Sequence, residues 1–112
     1  MLTLALALTV QKVALPPVSP GLCLATANKL GGMLNSLGGA LQDEAQAARE
    51  GRKTQYSSQR VDRMMESVEA DAANVAKVKR RYGGAAASEA DLAQLGKMRS
   101  PEWASYVKAC AA

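Results

Sequence analysis

All 10 acidic residues of this chain lie beyond position 42, and the first 42 positions carry only two charges, Lys12 and Lys29. The remaining positions hold the other 22 of the 24 charges. Such a split separates an apolar leader or anchor from a part that must fold with a polar surface. Residues 1–27 therefore read as an apolar leader, either a targeting segment or an anchor, and residues 28–112 as a single helical domain.

The side chains limit what that domain can build. There is no Phe, one Trp (Trp103) and three Tyr, whereas Ala occurs 22 times. Alanine favours helix because fixing its side chain costs no entropy, but it buries little area. Without a leader roughly 85–90 residues remain, near the size at which a core alone is marginal. The expectation is an all-α fold, a small helical hairpin or bundle with one long central helix and short C-terminal helices, supported by a partner or a cross-link.

The leader carries mixed signals. The run from Leu2 to Val10 is uninterruptedly apolar but too short to span a bilayer as a helix. It matches the centre of a secretory signal, and Ala25-Thr26-Ala27 is an A-x-A cleavage pattern. Against this, no basic residue precedes the run, and Pro16-Pro17 stretches the approach to the cleavage site. A transit peptide would be rich in Arg, which residues 1–42 lack. An apolar element retained on the mature protein is the alternative. The implied address is exported, periplasmic or secreted, or organellar.

Next comes a repeat. Leu30-Gly31-Gly32-Met33-Leu34 returns seven residues later as Leu37-Gly38-Gly39-Ala40-Leu41. On a helix the four Leu share a face. Each interior Gly costs about 1 kcal/mol relative to Ala, so a helix here needs a close neighbour to offset them. The other reading makes the Gly pairs turns. From Ala40 the chain reads as helix, with a kink or break near Gly51 and Thr54–Ser58.

The strongest periodic signal runs from Ser58 to Tyr82, predicted as the longest helix. Val61, Met64, Met65, Val68, Ala72, Val75, Val78 and Tyr82 form one apolar stripe. Lys77, Lys79, Arg80 and Arg81 crowd the end, and Gly83-Gly84 supplies a stop. Ser88-Glu89-Ala90-Asp91 resembles a capping box before a short helix. Ser100-Pro101-Glu102 starts a last helix, with Ser100 as cap and Trp103, Tyr106, Val107 and Cys110 on one face, Trp103 its main anchor.

Candidate chemistry is sparse. The chain has no His, which removes the usual neutral-pH base and the commonest nitrogen ligand for metals. Two Cys cannot build a thiolate metal cluster. No phosphate-cradling, dinucleotide or nucleophile-elbow motif is present. Asp43-Glu44 and Glu66/Glu69 lie on faces expected to be exposed, where no useful carboxyl pKa arises. No catalytic residue, cofactor, metal or small-molecule substrate is expected.

Cys23 and Cys110 form a candidate disulfide. Closing a loop of roughly 88 residues would stabilise the fold by about 4–5 kcal/mol in the chain-entropy treatment. Cleavage after Ala27 would remove Cys23, so cleavage and bridge exclude one another. The basic residues Arg49, Arg52, Lys53, Arg60 and Arg63, with the run Lys77 to Arg81, could contact phosphates, but acids are interleaved and no aromatic sits among the first group to stack on bases, so nucleic acid is disfavoured against a solvated face.

Two functions follow as expectations. The first is a non-catalytic helical interaction protein, an accessory subunit or adaptor of a larger assembly, a membrane-associated one among the options. A protein partner or second copy would dock on Val61, Met64, Met65, Val68, Trp103 and Tyr106, with a membrane surface as a further contact. The alternative is a small exported domain, stapled by its disulfide and acting alone as a binding or stress protein.

Overall fold

A computed structural model describes residues 14–112. The Leu2–Val10 run and Lys12 lie outside the described residues. Four helices follow an extended lead-in: α1 (Pro20–Arg49), α2 (Ser58–Tyr82), α3 (Glu89–Lys97) and α4 (Ser100–Ala111). The fold is the expected all-α bundle, but its longest helix is α1 with 30 residues, against 25 for α2.

Helix α1 starts with Pro20 in its first turn, where a missing N–H is harmless. It runs without interruption through Ala25-Thr26-Ala27 and through all four repeat glycines. Cys23, Thr26, Ala27 and Leu30 are each 0% exposed. The Thr26 hydroxyl is satisfied by donating to the Leu22 carbonyl at 2.7 Å. The helical body therefore begins at Pro20 rather than Asn28. A cut after Ala27 would fall inside a packed helix.

Gly51 ends α1. Its φ is 71°, the left-handed conformation that glycine adopts without penalty. Gly51 N–H donates to the Ala48 carbonyl at 3.2 Å and Arg52 N–H to Ala47 at 2.8 Å, the paired bonds of a Schellman stop. Glu44 then pins the connecting loop by accepting Gln55 N–H at 2.8 Å. The expected break near Gly51 is thus the hairpin turn itself.

Helix α2 returns antiparallel to α1: Gly31 stands beside Val75 and Gly38 beside Val68. Its boundaries are those read from the periodicity, with Ser57 Oγ accepting Arg60 N–H as the N-cap. Val61, Val75 and Val78 are buried, Met64, Met65, Val68 and Tyr82 are partly covered, and Arg60, Glu66 and Arg81 are exposed. Ala72, counted on the stripe, is exposed. Gly83 stops the helix with φ −58°, so its left-handed option goes unused.

The Ser88/Asp91 capping box forms in full, with bonds of 3.0 and 3.1 Å. At α4 the structure moves the cap by one residue. Arg99 is the N-cap, Glu102 accepts its N–H at 3.0 Å, and Ser100 is the first helical residue. Helix α3 packs on α1, while α4 packs on both α1 and α2. One core results, built from Leu22, Cys23, Ala27, Leu30, Leu34, Val75, Val78, Met98, Tyr106, Val107, Cys110 and Ala111. Among the described residues no helix is long and apolar enough to cross a membrane.

Candidate functional site

Packing divides the molecule into a base, where all four helices meet, and an arm, where the far halves of α1 and α2 continue without α3 or α4. The base is cross-linked. Cys23 of α1 and Cys110 of α4 are joined by a disulfide, with Cα atoms 6.0 Å apart.

Tyr106 sits one α4 turn before Cys110 and is 0% exposed. Its hydroxyl donates to the Pro17 carbonyl at 2.9 Å and accepts Ser19 N–H at 3.2 Å. One phenol thereby ties the extended lead-in to α4. Burial pushes its pKa above the usual tyrosine value of 10.0; the bond from Ser19 N–H opposes this, and the charges of Asp91 and Tyr82 add to it. Gly21 brings the next connection close: a Cβ there would stand 2.5 Å from the Ala86 carbonyl and 2.6 Å from the Asp91 carboxylate. At the other end of α4, Arg81 donates to the carbonyls of Cys110 at 2.7 Å and Ala112 at 3.0 Å. These carbonyls are among the orphan acceptors of a helix terminus, and a cation there also suits the macrodipole.

The arm is more open. A groove of about 750 Å³ runs between α1 and α2, lined by the glycine repeat on one side and by Met65, Val68, Ala72 and Val75 on the other. The glycines do not bring two backbones together, contrary to the packing expected of them. One of each pair faces an α2 side chain at ordinary contact distance, Gly31 toward Val75 Cγ1 (3.4 Å from a built Cβ) and Gly38 toward Val68 Cγ1 (3.9 Å). Gly32 and Gly39 face open space. A second hollow of about 350 Å³ lies toward the arm tip, with Leu37, Leu41, Ala47, Tyr56 and Met64 as walls and Asp43 and Glu44 beside them.

The residues singled out for partner binding do not form one patch. Val61 is 5% exposed and Tyr106 0%, so the chain itself already covers both. Met64 walls the tip hollow, while Met65 and Val68 line the groove. Trp103 belongs to the base, partly buried, its indole N–H donating to the Met98 carbonyl at 3.2 Å and Lys29 lying 5.7 Å above the ring. Sequence reading missed the tying role of Tyr106, the capping role of Arg81 and the tight fit at Gly21. Each depends on which elements meet, which periodicity does not encode.

Among the described residues no group of three or more His, Cys, Asp or Glu is placed to hold a metal ion. Compared with known protein families, curated proteins and solved structures, the chain matches none.

Proposed function

We propose that the chain is a non-catalytic helical interaction protein, in which the cross-linked base presents the two-helix arm to a protein partner or a second copy. The observation that carries this reading is the incomplete cover of the arm. Leu37, Met64, Met65 and Val68 stay half-buried beside open hollows, whereas Cys23, Ala27, Leu30, Val78, Tyr106 and Val107 in the base reach 0% exposure. Methionine suits such a face because its unbranched, polarizable side chain adapts to irregular surfaces. The buried bridge fits an oxidising, exported compartment.

A second reading keeps the base as the whole story: a stapled domain acting alone, favoured by the covalent closure of the core through Cys23 and Cys110. The oxidised chain separates the two. The interaction reading expects concentration-dependent association in light scattering, or ANS binding, either lost on Met65→Asp with Val68→Asp. A clean monomer with a sharp two-state melt and no ANS signal sinks it and leaves the stapled domain. Intact mass from the native source tests the shared premise. A mass two hydrogens below the reduced chain, with Cys23 retained, keeps both readings, whereas a chain starting at Asn28 has no bridge.

A further inference from the structure

Lys77, Lys79, Arg80 and Arg81 lie in the last turns of α2, where cations complement the negative end of the helix dipole. That requirement does not specify a direction around the helix, yet these side chains are not spread evenly. Positions 77, 80 and 81 share one face through their spacings of three and four. Together with Ala111 of α4 they wall a shallow depression of about 450 Å³. Lys79 instead lines the glycine groove, its Nζ 3.8 Å from where a Gly31 Cβ would stand.

Arg81 is held in place. Its Nη1 serves the Cys110 and Ala112 carbonyls, and its Nε and Nη2 donors make no protein bond among the described residues. Lys77 and Arg80 are exposed and, among the described residues, have no carboxylate at ion-pair distance. Among the described residues no acidic side chain lines the depression, and the main-chain oxygens of Cys110 and Ala112 lie on Arg81 at its edge. A fixed guanidinium flanked by two unpaired cations around a concavity is the chemistry that recognises a tetrahedral oxyanion.

We propose that this depression binds a phosphate group, carried by a free phosphate or by the headgroup of an anionic lipid. The test is a backbone-amide NMR titration of the oxidised full chain with inorganic phosphate, against chloride at matched ionic strength. Saturable shifts are expected at Lys77, Arg80, Arg81 and Ala111. Combining Lys77→Gln with Arg80→Gln should weaken binding about tenfold. Both residues are exposed and unpaired, so the fold should persist, and an unchanged melt checks that. Lys79→Gln removes the same charge as Lys77→Gln from the same part of α2 but should leave binding unchanged. Equal losses in Lys77→Gln and Lys79→Gln, or shifts that chloride reproduces, overturn the proposal. Vesicles identify the source. Retention on phosphatidylglycerol but not phosphatidylcholine, lost in the double variant, assigns the phosphate to lipid; phosphate binding without retention assigns a soluble anion. Retention on duplex DNA with no response to phosphate or vesicles overturns the site.

Discussion

The base and the arm are built from the same two long helices and differ in what lies beside them. In the base, α3 and α4 cover the flank of the α1–α2 pair, and Cys23, Ala27, Leu30, Val78, Tyr106 and Val107 all reach 0% exposure. In the arm, among the described residues, no other helix lies beside the pair, and Leu41, Ala47 and Val61 are its buried apolar side chains. Two helices laid side by side bury one stripe each, so a wider apolar stripe stays half wet. The difference shows how an alanine-rich chain with few aromatics holds its shape. It concentrates its large side chains and its one cross-link at one end, and lets helix continuity carry the other.

Breaking the cross-link should have the largest effect. Cys23→Ala with Cys110→Ala should lower stability by about 4 kcal/mol through the long loop released. Urea unfolding measures the loss, and hydrogen exchange should show α4 and the lead-in opening before the arm. Simultaneous loss of protection in arm and base would mean that the two are one cooperative unit.

Gly21→Ala comes next. The added Cβ meets the Ala86 carbonyl and the Asp91 carboxylate far inside contact distance, and overpacking of that kind costs about 1–3 kcal/mol. A thermal shift near zero would show that the 83–88 connection moves aside freely.

Tyr106→Phe removes both hydroxyl bonds to the lead-in and should cost about 1 kcal/mol. It also changes the alkaline limb. Because burial raises the folded pKa above 10.0, this group's contribution is fully present below pH 10 and lost as pH climbs through the raised value. The decline of stability above pH 10 should therefore be shallower in Tyr106→Phe than in the parent chain. Identical slopes would remove the phenol as the cause.

The smallest change has the opposite sign. Gly39→Ala faces open space in the arm and should gain about 0.5–1 kcal/mol from helix propensity and a less flexible unfolded chain. A destabilised Gly39→Ala would place an unseen neighbour against that edge.

The residues alone reveal whatever local physics decides. The ends of α2 followed from its stripe, its basic last turns and the glycines after Tyr82. The Ser88/Asp91 box followed from side chains that satisfy backbone groups three residues away. Helix α1 is under-read from sequence because four interior glycines leave helix and turn both open and the Ala25-Thr26-Ala27 pattern suggests a cut, whereas burial of Cys23, Ala27 and Leu30 by distant elements outweighs the propensity loss. The same reason demotes Trp103. Its hydrophobicity marks it as the anchor of α4, but the residue at the centre of the base is Tyr106, which Pro17 and Ser19 reach across 89 and 87 positions. Of the partner-binding residues, helical phase places Met64, Met65 and Val68 on one stripe, but it does not tell that Val61 is buried within the chain.

The Cys23–Cys110 bridge also has a mechanical consequence. It turns everything between the two cysteines into a closed ring, with the incoming and outgoing segments side by side at the base. Tension applied upstream of Cys23 and downstream of Cys110 passes straight through one covalent bond. The hairpin, the groove and the arm then bear no load, and a pull that would unzip the reduced chain leaves the oxidised one in shape.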